Sequence, residues 1–453
     1  MLEHPIAAIV LAAGKGTRMQ SAMPKVLHKI AGQPMVCHVL DAVAPLNPNE
    51  TCVVVGPGMD DVAAAVYPVR TVVQTNQNGT GDAVKVAVNK LSARKGTVLV
   101  LFGGDPLIQT ETVRKLLATR QAGASVVVLG FYAKDPTGYG RLILGQDGAL
   151  DAIVEDKDAQ ENQRAIDLCN AGVMAIDAAC LRGLLARIRN DNAKGEFYLT
   201  DIISLARDDG LSCKVVMADE DELMGVDSRV DLARAEALWQ AARRRRAMEE
   251  GVTLLDPDTV YFAHDTVTAC DVIIGPNVVF GPGVEIAKNA EIRAFCHVEG
   301  AKISEGAMIG PYARLRPGTE IGEDVHIGNF VEVKNTKMAP GAKANHLAYL
   351  GDSEVGVNAN IGAGTITCNY DGFDKHKTII GDEAFIGSNS ALVAPVTIGK
   401  CSIIGAGSTI VRNVPEEALS IERSKQIDLT GRAKVFREDR NKGKSTKKKS
   451  EFG

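Results

Sequence analysis

Between Val267 and Val411 the bulky aliphatic residues recur every six positions: Ile274, Phe280, Ile286, Ile292 and Val298. One residue drops out, and the spacing resumes at Ile303, Ile309, Leu315, Ile321, Ile327 and Val333. It returns at Val355 and Ile361, and again at Ile380, Ile386, Leu392, Ile398, Ile404 and Ile410. Six is neither the period of a helix nor the alternation of a half-buried strand. It predicts a parallel β-helix of hexapeptides, each hexad a short strand and a corner. The aliphatic residue points into a narrow interior, and the small residue that often follows lets the chain turn. Three hexads close one coil, so about eight coils stack at roughly 4.8 Å each into a prism on the order of 40 Å long.

Residues 6–228 carry a different pattern. Ile6–Leu11, Thr51–Val55, Thr97–Phe102 and Ser125–Gly130 are short apolar runs of the kind found in buried parallel strands. Amphipathic stretches lie between and around them, among them Pro34–Val43, Gly81–Leu91 and Thr110–Ala122. The alternation predicts an α/β domain with a mostly parallel, Rossmann-like sheet, whose ligands sit at the carboxyl ends of the strands. From Ser228 to Glu250 the pattern turns helical, and Gly251 closes it. The expected organisation is therefore an α/β domain over residues 1–228, a linker helix over 229–250 and a β-helix domain over 251–453. The arginines 243–246 are expected on a solvated face or against a neighbouring subunit rather than on nucleic acid. From about residue 432 the chain is basic and poor in apolar residues, so that tail is expected to be disordered.

Composition narrows the class. A net charge of −5 gives no general reason to expect nucleic acid. Aromatics make up only 4%, which suits a thin coil core of Val, Ile and Ala. Nine cysteines are scattered without a Cys-x-x-Cys pair, as expected of free thiols in a reducing compartment. The opening residues lack a basic n-region, and no apolar run reaches the eighteen or so residues of a span, so no membrane insertion and a cytoplasmic location are expected.

Candidate chemistry gathers in two places. Strand Ile6–Leu11 runs into Ala12-Ala13-Gly14-Lys15-Gly16-Thr17-Arg18, with Lys25 seven residues further on. Glycines after a strand let backbone amides approach a phosphate, and Arg18 and Lys25 add fixed positive charge. The third glycine of a dinucleotide fingerprint and the Gly-Lys-Ser/Thr of a Walker A loop are both missing. Asp105, in Gly104-Asp105-Pro106, puts a carboxylate at the sheet's carboxyl edge. In the coil, Arg316 and Lys334 are eighteen residues apart and should stack one above the other. Two cations so placed make poor structure and a good phosphate site. His346 follows an interruption of the coil and is the natural proton acceptor there.

The pattern LAAGKGTRM followed by PK resembles the sugar-phosphate nucleotidyltransferases. With the linker helix, the hexapeptide coil, NHLAYLGD and NIGAGTITCNYDG, residues 6 to about 430 resemble the bifunctional N-acetylglucosamine-1-phosphate uridylyltransferase/glucosamine-1-phosphate acetyltransferase family. That resemblance implies a left-handed coil, a homotrimer through the β-helix, and UTP, acetyl-CoA and Mg²⁺ as reaction components. The product would be UDP-N-acetylglucosamine, a precursor of cell wall and lipopolysaccharide. By matching position, Leu11, Ala12, Ala13, Gly14, Lys25, Gln74, Gly79, Thr80, Gly104, Gly140, Glu155, Asn170 and Asp227 would bind nucleotide and sugar. Asp105 and Asp227 would hold the metal, with Arg18 and Lys25 catalytic. Arg316, Lys334, Tyr349 and Asn360 would hold the acetyl acceptor, with His346 as base and Glu332 polarising it. Ala363, Asn369, Tyr370, Ser388, Ala406 and Arg423 would hold acetyl-CoA.

The chain departs from the family at Gly103, where close relatives carry Tyr, and at Asp227, usually Asn, which is expected to tighten metal binding. Asp82 and Asp156 stand where some relatives have His, and both changes are expected to be neutral. The competing reading is a single-activity nucleotidyltransferase whose β-helix serves only as a trimerisation or regulatory scaffold. A pure scaffold would carry aliphatic or small residues in place of His346, Arg316 and Lys334.

Overall fold

The computed structural model describes residues 5–92 and 94–450. The chain forms two compact units, Met1–Val284 and Glu285–Gly453. In the first, one sheet runs in the order Cys213–Met217, Val126–Tyr132, Leu168–Asp177, Thr97–Phe102, Ile6–Leu11, Glu50–Val55 and Arg70–Val73. All neighbours are parallel except Leu168–Asp177, which is antiparallel to both of its own. Alternate residues of Ile6–Leu11 feed two separate cores: Ala7, Ile9 and Leu11 on one face, Ile6, Ala8 and Val10 on the other. Helices therefore cover both faces, and the one open edge for a ligand is where the strands end.

The linker helix, Arg229–Glu249, begins at a capping box between Ser228 and Asp231. It docks through Ala235, Leu232, Leu238 and Trp239 onto Ile30, Met35, Leu107 and Val226. The expectation of a solvated face holds for Arg245 and Arg246, which are exposed, and is corrected for Arg243 and Arg244. Arg243 donates to the Thr266 carbonyl at 2.9 Å and lies over the Phe262 ring at 4.7 Å, and Arg244 pairs with Asp258 at 3.2 Å. Arg246 pairs with Glu250 at 2.7 Å. Arg243 and Arg244 thus fasten the helix to the first turns of the coil, a contact whose planar, stacking geometry suits guanidinium better than ammonium.

The second unit is a parallel coil of three faces. One carries Glu291–Ile292, Met308–Ile309, His326–Asn329, Lys343–His346, Asn360–Ile361 and their successors, each strand hydrogen-bonded to the next. The hexad positions are interior as the spacing predicts, with Ile292, Ile309, Leu315, Val333 and Ile386 wholly buried. Register confirms the coil length: Arg314 pairs with Glu332 and Leu315 with Val333, eighteen residues on. Where one residue is dropped the step is seventeen, as in Glu332 to Tyr349. Between Ile366–Cys368 and Thr378–Ile380 the chain makes an excursion closed by a Tyr370–Lys375 bridge, and Ser353 then pairs with Thr378. Phe295, Tyr312 and Phe330 stack along one corner at 4.8 and 5.3 Å, exposed to solvent.

The basic tail differs from expectation. Arg432–Ser450 is helical, although its described side chains, Val435 and Phe436 among them, are exposed and bury no core. All nine cysteines are free. Among the described residues no helix is long and apolar enough to cross a membrane.

Candidate functional site

At the carboxyl end of the sheet in the first unit lies a cavity of about 490 Å³. Leu11, Ala12, Ala13 and Gly14 form one wall, Gln74, Gly79 and Thr80 a second, and Lys25 and Gly104 its floor. Nine residues expected from the sequence thus meet at one opening. Two of the glycines are there for space. A Cβ on Gly104 would stand 2.7 Å from the Lys25 Nζ, and one on Gly79, whose φ is +107°, would stand 2.7 Å from the Phe197 carbonyl.

Charge is concentrated behind the floor. Lys25 Nζ donates to Asp227 Oδ1 at 2.9 Å, and Arg18 reaches Asp227 Oδ2 at 3.0 Å. Burial works to raise the Asp227 pKa, but Lys25 and then Arg18 outweigh it and hold the carboxyl below its ordinary value. Asp105 is in the opposite state. Burial pushes its pKa up to about 7, Lys25 opposes the rise and the charge on Asp227 adds to it. Among the described residues no donor reaches the Asp105 carboxylate. A half-buried carboxylate without a donor, within reach of the charge on Asp227, offers oxygen donors of the kind a hard divalent cation such as Mg²⁺ takes.

The other expected sugar-side residues gather around Gly140. The Asn170 amide donates to the Gly140 carbonyl at 2.8 Å, and a Cβ on Gly140 would lie 3.7 Å from the Glu155 carboxyl carbon. Burial raises the Glu155 pKa, against a 3.2 Å hydrogen bond from the Thr200 hydroxyl. Thr200 escaped the sequence reading because no spacing links residue 200 to residue 155. The departures lie nearby. Gly103 is buried against Leu11 and Val26, leaving no room for a ring in this backbone. Asp156 accepts from the buried Arg141 guanidinium at 3.1 Å.

The second constellation belongs to the coil. Arg316 and Lys334 do lie on adjacent coils, with the Arg316 amide bonded to the Val333 carbonyl at 2.9 Å. A third cation joins them. Lys375, on the excursion, lies against Lys334 and is the main reason its pKa falls, burial and Arg316 lowering it further while Asp352 counters. Three cations drawn this close, against the two carboxylates Asp352 and Glu332, leave net positive charge suited to a phosphate. Lys375 was missed because it reaches the cluster through an irregular loop rather than through the coil's period.

Glu332 does not polarise His346, contrary to expectation. It accepts from Arg316 at 2.8 Å. The partner of His346 Nδ1 is Asn329 Oδ1, at 2.8 Å on the preceding coil. Asn329 Oδ1 can only accept, so Nδ1 carries the proton and Nε2 is left free to take one. His346 itself is exposed.

Tyr349 pairs with Glu332 on the neighbouring strand, on the cation-bearing face. Asn360 stands apart. It pairs with Lys343 on the His346 face, at the far end of that strand from the imidazole. Asn369 donates to Asp352, and the Tyr370 hydroxyl donates to the Gly372 carbonyl at 2.6 Å. Ala363, Ser388 and Ala406 form a column at one corner: Asn389 bonds the Ala363 carbonyl at 2.7 Å and Gly407 the Ser388 carbonyl at 2.8 Å. Arg423 closes that column with a 2.5 Å bond to the Ala406 carbonyl.

Comparison with known proteins places these sites in context. Residues 8–171 match the MobA-like NTP transferase domain. Residues 265–300, 300–335 and 377–412 match the bacterial transferase hexapeptide family, consistent with a left-handed coil. The chain is 53% identical to the bifunctional protein GlmU of Paramagnetospirillum magneticum over 96% of its own length and 98% of that relative. It is 56% identical to that of Rhodospirillum rubrum, over 95% and 97%. With the GlmU of Sphingopyxis alaskensis it shares 52% identity over 99% and 100%.

Proposed function

Since the chain belongs to the bifunctional GlmU family, we propose that its two sites perform successive reactions, acetylation in the coil and uridylyl transfer on the sheet. In the coil, Arg316, Lys334 and Lys375 hold the phosphate of glucosamine-1-phosphate, with Tyr349 beside it. The sugar amine, whose pKa resembles the roughly 8 of an α-amino group, is mostly protonated at neutral pH and must lose a proton to attack a thioester. His346 Nε2 takes that proton while Asn329 fixes the ring, a contribution of about 10²–10⁴ in rate. Acetyl-CoA lies along the Ala363, Ser388 and Ala406 column, with Asn369, Tyr370 and Arg423 at its ends. The amine nitrogen bonds to the acetyl carbon and coenzyme A leaves as the thiol.

On the sheet, the phosphate of N-acetylglucosamine-1-phosphate is already ionised and needs no general base. Its oxygen attacks the α-phosphorus of UTP and pyrophosphate leaves. Gly140, Glu155, Asn170 and Thr200 hold the sugar, the Ala12–Gly14 turn cradles the triphosphate, and Arg18 and Lys25 exchange Asp227 for phosphate oxygens as it enters. Mg²⁺ held by Asp105 and Asp227 would neutralise charge on the triphosphate.

Two features support a homotrimer through the coil. Asn360 lies on a different face from the cation cluster, so one chain alone does not surround an acceptor. The exposed row Phe295, Tyr312, Phe330 and Leu347 runs up to His346 and offers an apolar strip to another copy.

The observation that carries two activities rather than one is the exposed, Asn329-held imidazole on a coil bearing three gathered cations, which a scaffold would not need. The test is purified protein given acetyl-CoA, glucosamine-1-phosphate, UTP and Mg²⁺, with products read by mass. UDP-N-acetylglucosamine, coenzyme A and pyrophosphate are expected; pyrophosphate released when N-acetylglucosamine-1-phosphate is supplied with UTP, without any coenzyme A release from glucosamine-1-phosphate, would leave the coil a scaffold.

A further inference from the structure

Gln74 is 97% buried by its 3% exposure, yet it lines the nucleotide cavity, so its amide meets a ligand in one fixed attitude. Its backbone N–H is bonded to the Val55 carbonyl at 2.9 Å, which anchors the residue at the end of the Glu50–Val55 strand. The side-chain Nε2 spends both protons on protein: one on the Gly79 carbonyl at 2.9 Å, the other on Asp82 Oδ2 at 2.8 Å. A reversed amide would set Oε1 against a carbonyl and a carboxylate, two acceptors with no proton between them. The Gly79 carbonyl cannot change role, and it is held by the Ala83 amide at 3.2 Å. Asp82 sits in the first turn of the helix Thr80–Lys90, where the dipole favours negative charge. Among the described residues no donor reaches Gln74 Oε1, so it is the amide atom left for the ligand.

We propose that Asp82 is a positioning residue that locks the Gln74 amide with only its carbonyl oxygen facing the cavity, and so selects a nucleobase that presents an imide N–H. Uracil offers that donor at its N3. Cytosine offers a bare nitrogen at the same place, which would face Oε1 as acceptor against acceptor. A buried, unmade hydrogen bond is the kind of mismatch that separates close analogues most strongly. Asp82 is thus not a neutral replacement but a second acceptor that, with the Gly79 carbonyl, holds the amide in one orientation. The inference rests on the nucleotidyl-transfer reading of this cavity and adds to it the means of base discrimination.

The test compares UTP with CTP as substrates for pyrophosphate release from N-acetylglucosamine-1-phosphate, using the full chain with Mg²⁺. Asp82→Ala removes one of the two acceptors and leaves the Gly79 carbonyl alone to oppose reversal, so the reversed amide is populated more and the ratio of kcat/KM for UTP over CTP falls about tenfold, mostly through KM. Asp82→Asn can still accept through its own carbonyl and keeps the ratio within about twofold of wild type. Asp82→Ser is carried beside Asp82→Ala so that a folding failure in one leaves the ratio readable in the other. A ratio unmoved in both shortened variants overturns the assignment while nucleotidyl transfer stands. No pyrophosphate from UTP in the wild type overturns the nucleotidyl-transfer reading itself, and the assignment with it.

Discussion

The Asp105 carboxylate makes a prediction about stability that is independent of turnover. In the fold its pKa stands at about 7, against an ordinary value of 3.8, chiefly because burial disfavours the charge. A carboxyl whose folded pKa is raised favours the fold in its protonated form, below about pH 4. That advantage is lost as pH rises through the folded value of about 7. At about 1.4 kcal/mol per pH unit, the ionised carboxylate costs the fold up to about 4 kcal/mol above pH 7. Asp105→Asn removes the charge with little change of shape. In divalent-free buffer the variant should therefore gain stability at pH 8 and gain almost nothing at pH 4. At roughly 2–4 °C per kcal/mol, the gain at pH 8 reaches on the order of 10 °C in the midpoint of the sheet-bearing unit. Adding Mg²⁺ at pH 8 should raise the wild-type midpoint and leave that of Asp105→Asn in place. The assay is thermal unfolding at pH 4, 6 and 8, with and without the metal. An Asn variant no more stable than wild type at pH 8 would show that Asp105 is neither buried at a cost nor poised for a cation.

Three further perturbations separate the sites. Gly104→Ala puts a methyl 2.7 Å from the Lys25 Nζ, and because that ammonium is the far end of a flexible chain it moves rather than unfolds the protein. Uridylyl transfer should fall about 10–100-fold, as it does when one charge-stabilising group is displaced, with acetyl transfer intact. Asn329→Ala should lower kcat for acetyl transfer about 3–10-fold, the worth of one hydrogen bond of about 0.5–1.5 kcal/mol. Glu332→Gln should instead raise KM for glucosamine-1-phosphate through Arg316; steady-state coenzyme A release distinguishes the two. Lys375→Ala should raise that same KM about tenfold and leave KM for acetyl-CoA near wild type, the cost of one charge-assisted contact to phosphate.

How legible a residue's place is in the sequence depends on the kind of regularity that residue obeys. The coil was legible because its interior admits one aliphatic residue per hexad, so Ile309, Leu315 and Ile321 announce their burial by spacing. Strands Ile6–Leu11 and Thr97–Phe102 were legible to the residue because both of their faces are covered and, Thr97 apart, every position is apolar. The glycine turn and Lys25 follow directly from the first strand, and Arg316 and Lys334 follow from the coil's period of eighteen.

What stayed hidden was the choice among side chains once brought together. His346 has Asn329 seventeen residues behind it and Glu332 fourteen behind it. Only the dropped residue, which shortens that coil, puts Asn329 in register with the imidazole. Lys375 enters through an excursion without periodicity. Asp227 is expected from the sequence to bind metal and nucleotide, but in the fold two nearby cations already pair with it. Arg243 and Arg244 of the linker helix read as solvent-facing because their partners, Thr266 and Asp258, lie in a segment of different period.

The central claim is that one chain carries two chemistries on two separate sets of side chains. The most direct measurement follows coenzyme A and pyrophosphate release in parallel for His346→Ala and Asp105→Ala. Acetyl transfer should vanish with uridylyl transfer preserved in the first variant, and the reverse should hold in the second. Loss of both activities in either variant, or coenzyme A release undiminished without the imidazole, would contradict it.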